Sequence, residues 1–324
     1  MVLRAALLAL ACCTLLFAGS AYGDTQDVKS MSLAAKDARV AEIGFKLATN
    51  NAPFCEKLTP ATGLLLDDVT AYTRPDEIRA AMGLTGDFAV RVVVPGSPAA
   101  VAGLRADQEL IRIGGKPLNT WTKDPKEPGV RLEQVRAMIA ETLAANGAIS
   151  FTPAGATAVE IVGVPACHSR FEVAKRKGRK RRGAAADGDR VIVGDWFPGH
   201  AWPDDLLAGL IAHELAHNVL THRATLDANG RKRKLVRLTE READRLAPWL
   251  LANAGYPPDA APRFMQRWGP KHSGGWLTRK RTHDGWDERL ENMQAEVKLV
   301  EAQMAATGKA DWRTHFVRED LPGI

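Results

Sequence analysis

Two histidines and a glutamate lie close together in the stretch His213-Glu214-Leu215-Ala216-His217. If this stretch is helical, the two imidazoles share one face and can bind one Zn²⁺ ion per chain. Glu214 then reaches a water molecule held by the metal and can act as the catalytic base. The spacing predicts a metal centre of the kind that hydrolyses peptide bonds.

The residues around this motif predict the helix that it needs. Pro203 suits a first helical turn, and Asp204 and Asp205 lie where the helix dipole favours negative charge. Apolar residues then recur at helical spacing over residues 206–220, which predicts a mostly buried helix. The alternative is a core helix without metal, in which both imidazoles and the carboxylate need several hydrogen-bond partners.

A zinc site of this type requires a third protein ligand, and residues 239–244 include two glutamates. We predict a second helix here, which ends near Ala254. On a helical wheel, Glu240 lies on the apolar face of this helix, whereas Glu242 points to the side that carries Arg245. Glu240 is therefore the predicted third metal ligand.

Neighbours of Glu240 have predicted supporting roles. Thr239 and Glu242 fit a capping box at a helix N-terminus, which gives Glu242 a purpose other than metal binding. Asp244, one turn beyond Glu240, is placed to accept the free ring N–H of a metal-bound histidine and so fix its tautomer. The alternative for Asp244 is an ordinary solvated charge.

The segments HELAHNVLTH and EREADRLAPWLLANAGYPP, followed by Thr282-His283-Asp284 and Glu288-Arg289-Leu290, resemble gluzincin metallopeptidases of the HtpX and CAAX-prenyl-protease type. The resemblance extends over residues 160 to 295 or so. It implies a mainly helical, zincin-type metalloprotease domain with a small edge-exposed sheet. It also implies that the glutamate opening the E-x-x-A-D pattern, here Glu240, is the third zinc ligand.

The same resemblance assigns two further residues to the site. It implies that His283 is a catalytic residue that faces the metal from a Thr-His-Pro loop and stabilises the oxyanion or transiently occupies the open coordination position. This chain has Asp284 where the family has proline, so the loop is expected to be less rigid. Arg289 resembles the family's arginine near the active site, and a surface charge is the alternative.

The resemblance further implies where an extended substrate lies. An unpaired strand edge offers main-chain donors and acceptors to any peptide laid beside it. By this resemblance, the strand just before the metal helix is such an edge. The residues of this predicted substrate edge strand are Val191, Ile192, Val193 and Gly194.

A second block, AVRVVVPGSPAA from residue 89 and IRIGGKPL from residue 111, resembles a bacterial PDZ domain. The pattern predicts a strand, a tight Pro-Gly turn, a short helix and a hairpin. We predict an inserted, β-rich PDZ-like domain at residues 57–155, which by resemblance binds the C-termini of protein or peptide substrates. A plain strand start is the alternative for the loop that receives the carboxylate. The residues assigned to this loop are Gly63, Leu64 and Leu65.

The N-terminus has the features of a cleaved secretory signal. Arg4 precedes an apolar stretch over about residues 5–17, and small residues follow up to Gly23. We therefore predict a signal peptide at residues 1–23 and an exported protein, periplasmic or otherwise extracytoplasmic. The apolar stretch is short for a membrane span, so no transmembrane segment is expected after signal cleavage.

Removal of this signal leaves two cysteines, Cys55 and Cys167, which flank the PDZ-like block. In an oxidising compartment, a disulfide bond between them would join the two ends of the insertion. Such a bond closes a loop of about a hundred residues and contributes roughly 4 to 5 kcal/mol to stability. Two buried thiols are the alternative.

The formal net charge of +6 comes with basic runs at residues 175–182 and 231–234. Such runs can attract nucleic acid or anionic lipid. For an exported protein we expect solvated loops and no nucleic-acid partner, with weak attraction to acidic envelope surfaces as a secondary possibility.

Together these features predict an α+β protein in five segments. After the signal come an N-terminal helix within residues 24–56 that packs on the protease, the PDZ-like domain at 57–155, a zinc metallopeptidase domain at 156–306 and a tail at 307–324. The predicted function is a zinc metalloendopeptidase of the cell envelope that acts on misfolded or C-terminally recognised proteins. The alternative is a PDZ-bearing assembly factor or chaperone-like binding protein with little proteolytic turnover.

Overall fold

The computed structural model of the protein describes residues 32–122, 126–127, 129–175, 183–272 and 284–322. The predicted signal peptide, His283 and most of the basic run at 175–182 lie outside the described residues. Within the described ranges, long helices combine with small, mainly antiparallel sheets, which is compatible with the predicted α+β class.

The helices differ widely in length, and the longest lie in the second half of the chain. They are α1 (Leu33–Asn50), α2 (Pro75–Met82), α3 (Pro98–Val101), α4 (Val130–Asn146), α5 (Asp204–Val219), α6 (His222–Ala228), α7 (Arg233–Asn253), α8 (Ala260–His272), α9 (Trp286–Thr307) and α10 (Trp312–His315). Among the residues that the structure describes, none of these helices is long and apolar enough to cross a membrane.

The strands are short and lie mostly in the first half of the chain. They are β1 (Leu58–Ala61), β2 (Leu64–Asp68), β3 (Phe88–Val93), β4 (Leu110–Ile113), β5 (Lys116–Pro117), β6 (Ala148–Pro153), β7 (Val159–Val162), β8 (Val164–Cys167), β9 (Arg170–Ala174), β10 (Ala184–Ala186) and β11 (Arg190–Gly194). We call α1, β9–β11 and α5–α10 the helical unit, and residues 64–162 the β-rich unit.

Helix α5 lies at the centre of the helical unit. Its apolar side chains Leu207, Ile211 and Leu215 are fully buried, and the helix packs against α1, α7 and α8. Gly209 permits the close approach of α8, because a Cβ at this position would lie 2.9 Å from the carbonyl oxygen of Ala260. Each large apolar side chain removed from water contributes about 1.5 to 3 kcal/mol, so this burial holds in place the helix that carries the predicted metal ligands His213 and His217.

Helix α1 packs on the small sheet of the helical unit. It begins after Ser32, whose hydroxyl accepts a hydrogen bond from the main-chain N–H of Ala35 over 3.1 Å and so caps the helix. Gly44 lies against the ring of Phe171 in β9, and a Cβ there would come within 2.0 Å of the ring. The glycine therefore sets the distance between helix and sheet.

The β-rich unit has a hydrophobic core of its own, which includes Val90, Phe151 and Ile161. It contains the β2–β3 ribbon and a four-stranded sheet in the order β5-β4-β6-β7, with α4 packed against β6. Because β7 pairs with β6, this unit continues to Val162, past the predicted boundary at residue 155.

The chain enters and leaves the β-rich unit through two paired strands. β1 and β8 are antiparallel, with Leu58 opposite Cys167 and Ala61 opposite Val164. The predicted disulfide bond is confirmed: Cys55 and Cys167 are joined, with their Cα atoms 5.5 Å apart. Both cysteines are buried in the core of the helical unit, so the bond fastens the base of the β-rich unit to it.

Charged side chains join the two units. Arg136 of α4 donates a hydrogen bond to Glu172 of β9 over 3.2 Å. Arg91 of β3 donates to Asp37 of α1, a buried carboxylate that also accepts the main-chain N–H of Val173 over 2.9 Å. The β-rich unit therefore has a defined orientation on α1 and β9.

The predicted substrate edge strand is placed differently from the prediction. β11, which contains Val191, Ile192, Val193 and Gly194, pairs with β10 on one side and with β9 on the other. A strand paired on both sides presents no edge, so this prediction is wrong. The strand of this sheet that contacts α5 most closely is β10. It is a run of three alanines, and because alanine has a weak strand propensity, the sequence did not predict a strand here.

Candidate metal centre

Helices α5 and α7 bring the three predicted metal ligands together. The Nε2 atoms of His213 and His217 lie 3.3 Å apart. They lie 3.7 and 3.6 Å, respectively, from the carboxylate oxygens of Glu240. One ligand atom from each residue lies within 4.8 Å of the others, so this group could hold a metal ion.

The spacing of these atoms fits a small ion with tetrahedral ligands. Zinc binds imidazole nitrogen and carboxylate oxygen at about 2.0 to 2.2 Å, which places neighbouring tetrahedral ligand atoms roughly 3.3 to 3.5 Å apart. The two imidazole nitrogens are 3.3 Å apart, within that range, and they lie slightly farther, 3.7 and 3.6 Å, from different carboxylate oxygens of Glu240. Two imidazoles with one carboxylate are also a ligand set of catalytic rather than structural zinc sites.

A buried ion pair lies behind His213. Oδ1 of Asp244 is 3.0 Å from Nδ1 of His213, and Arg289 of α9 donates to both Asp244 oxygens over 2.6 and 2.7 Å. Burial alone would raise the pKa of Asp244, but the charge and hydrogen bonds of Arg289 hold this pKa below its usual value. The ionised carboxylate keeps a proton on Nδ1 of His213 and leaves Nε2 facing the ligand group.

The two ligand imidazoles differ in their protonation. Burial lowers the pKa of His213, but hydrogen bonds to Asp244 and Glu240 outweigh it and raise this pKa to about 10. Burial is the main reason that the pKa of His217 falls to about 3. Without a metal ion, the ring of His213 therefore holds an extra proton at neutral pH, and the ring of His217 is neutral.

Glu214 follows His213 in α5 and lines the same cavity. Burial is the main cause that raises its pKa to about 7. The main-chain N–H of Ala186 in β10 hydrogen-bonds to this carboxylate and steadies it. A carboxylate with a pKa near neutrality, beside the ligand group, has the properties of a general base.

The cavity over the ligand group has a volume of about 170 Å³ and combines polar and apolar walls. Its polar wall carries His213, Glu214 and Glu240. Its apolar wall consists of Phe197, Leu210, Phe264, Met265, Trp268 and Met293. A cavity of about 150 Å³ is known to hold a benzene ring, so this space has the size of a large side chain.

Strand β10 runs beside this cavity and directs main-chain groups away from its partner strand. In the β10–β11 pair, the carbonyl oxygen of Gly183 accepts the N–H of Gly194 over 2.9 Å. Because bonded and non-bonded positions alternate in antiparallel strands, Ala185 bonds to β11, whereas the N–H and C=O groups of Ala184 and Ala186 point away from it. One of these outward groups, the N–H of Ala186, is the donor to Glu214.

Glu242 has a different role from the predicted one. Helix α7 begins at Arg233, so Thr239 lies inside the helix and the capping-box prediction is wrong. The Glu242 carboxylate is fully buried and accepts a hydrogen bond from Nε2 of His222 over 2.8 Å. Burial raises the pKa of Glu242, but hydrogen bonds from His222 and Arg318 outweigh it and lower this pKa to about 2.

His222 was not among the predicted site residues, yet it contacts the predicted metal ligand His217. Its Nδ1 atom lies 2.8 Å from Nδ1 of His217, on the side of that ring away from the ligand group. Its one sequence signal is a third histidine at the end of HELAHNVLTH, where helical spacing does not place it on the ligand face. The helix is interrupted at Thr221, whose φ of 55° brings His222 back towards His217.

The predicted carboxylate-binding loop lies at a second cavity, with a volume of about 200 Å³. Gly63 has a φ of 70°, and its carbonyl oxygen accepts the N–H of Val94 over 2.8 Å. Leu64 and Leu65 begin β2, and all three predicted residues line this cavity. Helix α4 and residues of the helical unit form its other walls, so both units contribute to it.

Comparison with known proteins gives no family for this chain: no protein-family model matches it, and no curated protein matches it either. The interpretation of the site therefore depends on its own geometry. That geometry brings together His213, His217 and Glu240 as a group that could hold a metal ion, with Glu214 and Asp244 beside them. The predicted catalytic His283 lies outside the described residues.

Proposed function

We propose that this protein is a zinc-dependent endopeptidase of the cell envelope that hydrolyses peptide bonds in misfolded or C-terminally recognised proteins. The observation that carries the proposal is the convergence of His213, His217 and Glu240 into a group that could hold a metal ion, beside a cavity that Glu214 lines together with His213 and Glu240. Zinc is favoured because two imidazoles and a carboxylate at these separations match its bond lengths.

When bound, zinc would supply the Lewis acidity that acidifies a water molecule and polarises the scissile carbonyl. Glu214 takes a proton from the attacking water and passes it to the leaving amine. Its pKa of about 7 suits both steps, because the carboxylate can accept and the carboxylic acid can donate near neutral pH. Asp244 and Arg289 keep His213 in the tautomer that ligation requires.

The substrate lies in extended form along β10 in this proposal. Ala184 turns its main-chain N–H and C=O away from β11, so a peptide can add as a further strand at this position. The N–H of Ala186 meanwhile holds Glu214 beside the same strand. The apolar wall of the cavity, with Phe264 and Met265, receives a side chain next to the scissile bond.

We further propose that the protein is exported and that the β-rich unit recognises its substrates. The disulfide bond between Cys55 and Cys167 supports an oxidising compartment, and the signal-like N-terminus supports export. The cavity beside Gly63 and Leu64 supports capture of a C-terminal peptide beside β2.

The decisive experiment replaces Glu214 by glutamine in the full chain. Glu214→Gln is expected to retain one zinc per chain and the wild-type circular dichroism spectrum, while cleavage of an unfolded test protein falls about 10²- to 10⁴-fold. Glu301→Gln, an exposed position of α9, serves as the matched control. Unchanged cleavage by Glu214→Gln, or wild-type protein without stoichiometric zinc, contradicts the proposal. Full biological rescue by Glu214→Gln points instead to the assembly-factor function.

A further inference from the structure

We propose that the C-terminal segment at residues 311–321 is a functional part of the metal centre, because it positions the ligand His217 through two intermediate side chains. Arg318 binds Glu242, Glu242 binds His222, and His222 contacts His217. The inference rests on the zinc site of the proposed function and is independent of proteolysis. It makes Arg318, Glu242 and His222 positioning residues.

The tail supplies most of the partners of the buried Glu242 carboxylate. Arg318 donates from Nε over 2.6 Å and from a terminal nitrogen over 3.1 Å, one bond to each carboxylate oxygen. The main-chain N–H of Glu319 donates over 2.7 Å. His222 donates the fourth hydrogen bond to this carboxylate. Because the other three come from the tail, the tail determines how the carboxylate is oriented.

The ligand role of His217 fixes the direction of these hydrogen bonds. Its Nε2 faces the ligand group, so its proton lies on Nδ1 and is donated to Nδ1 of His222. His222 then carries its own proton on Nε2 and donates it to Glu242. An ionised carboxylate only accepts hydrogen bonds, which excludes the reverse order. Glu242 thereby orients both imidazole rings.

His213 is also connected to a buried carboxylate that an arginine binds, with one difference from His217. His213 donates directly to Asp244, which is bound by Arg289 of α9. Each ligand imidazole is thus connected to a buried carboxylate that an arginine holds in place. For His213 the arginine belongs to the body of the helical unit, whereas for His217 it belongs to the tail.

The backbone between His217 and His222 bends at Thr221, and the bend brings the two imidazole rings into contact. Helix α5 ends at Val219, and Thr221 adopts φ 55° and ψ 31° before α6 begins at His222. The left-handed region is unfavourable for a β-branched residue such as threonine. Such strain persists where the surrounding contacts enforce it, and it clusters at functional sites.

The tail has other anchors besides Arg318. Trp312 is buried, and its indole N–H donates to the side chain of Asn51 over 3.0 Å. Leu321 is buried against α6 and α7. Substitution of Arg318 alone therefore leaves the tail docked and changes the contact with Glu242 specifically.

The test measures metal binding by the full chain. Arg318→Met removes the guanidinium group that binds both oxygens of Glu242, and His222→Phe removes the hydrogen-bond partner of His217. Arg313→Met, which changes an exposed arginine of the same tail, is the control. Zn²⁺ affinity is measured by competition with a chromophoric chelator, and the visible absorption of Co²⁺-loaded protein reports ligand geometry. These readouts do not depend on turnover.

We expect His222→Phe to bind zinc about 10- to 100-fold more weakly, the usual effect of removing a ligand's hydrogen-bond partner. Arg318→Met is expected to show a smaller loss and a changed cobalt spectrum, and Arg313→Met no change. Arg318→Lys should fall between wild type and Arg318→Met, because lysine keeps the charge but not the bidentate fork.

Wild-type zinc affinity together with an unchanged cobalt spectrum in Arg318→Met overturns the inference. If His222→Phe does not fold, Arg318→Met against Arg313→Met decides alone. A chain that shows the expected order of zinc affinities but cleaves no protein refutes the proposed function and leaves the role of the tail standing.

Discussion

The Nδ1 atom of His213 lies 3.0 Å from Oδ1 of Asp244. The same carboxylate is bound at both oxygens by Arg289, and both charged side chains are buried. The contact sets the tautomer of the imidazole, and the arginine balances the charge of the carboxylate. Ligand orientation and folding stability therefore depend on one ion pair.

Asp244→Asn tests both roles. We expect about 10- to 100-fold weaker zinc binding and a free energy of unfolding about 3 to 5 kcal/mol lower in the metal-free protein, because the buried Arg289 would lose its hydrogen-bonded counter-charge and keep only Glu240, at 3.9 Å. Chelator competition and urea denaturation measure the two effects. Asp259→Asn, in an exposed pair with Arg263, is the control and should cost less than about 1 kcal/mol. Equal costs at the two positions would argue against the role of Asp244.

Zinc uptake is expected to depend on pH through His213. Its pKa is raised to about 10, so at neutral pH a metal ion must displace a proton from this ring. Zinc affinity should therefore rise about tenfold per pH unit between pH 7 and 9 and level off above about pH 10. Calorimetry in buffers of different ionisation enthalpy should detect release of about one proton per zinc ion at pH 7. An affinity that stays constant between pH 7 and 9 would contradict the raised pKa.

The three residues that could hold a metal ion were predictable because their positions follow from the periodicity of the helices that carry them. His213 and His217 share a face in any α-helix, and Glu240 lies on the apolar face of an amphipathic α7. His222 was not predictable, because a left-handed Thr221 redirects the chain just before it. The role of Glu242 depends on contacts with the tail, which no local pattern contains.

The position of β11 between β10 and β9 was also not predictable from the local sequence. β-branched residues in β11 indicate a strand, but not whether its neighbours lie on one side or both. Val191 and Val193 are fully buried. A continuous apolar run is compatible with a strand that is covered on both faces, but it does not identify the strands that pair with it. Helix α4, which forms a wall of the second cavity, was not predicted at all.

Single proline substitutions at two neighbouring residues of β10 test whether this strand is the substrate edge. Ala184→Pro removes an N–H that points away from β11, so we expect the fold to be retained while kcat/KM for peptide cleavage falls about tenfold or more, the loss of about one main-chain hydrogen bond. Ala185→Pro removes a bond of the β10–β11 ladder and should lower the melting temperature instead. If Ala184→Pro cleaves normally, β10 is not the substrate edge.

The disulfide bond should contribute strongly to stability. It spans a sequence separation of 112 residues, for which loop-closure entropy corresponds to roughly 4 to 5 kcal/mol, and measured losses are typically 2 to 5 kcal/mol. Urea denaturation of the double substitution Cys55→Ala with Cys167→Ala should show this loss. Mass spectrometry after alkylation without reduction should find neither residue labelled. Equal stability with and without the bond would contradict the expectation.

The pairing of β1 with β8 brings the two ends of the β-rich unit side by side, with Leu58 opposite Cys167 and Ala61 opposite Val164. A turn of two residues is enough to connect antiparallel strands at this distance. The β-rich unit can therefore be replaced by a short hairpin, or by another domain whose two ends lie close together, while the strands that connect it to the helical unit are kept.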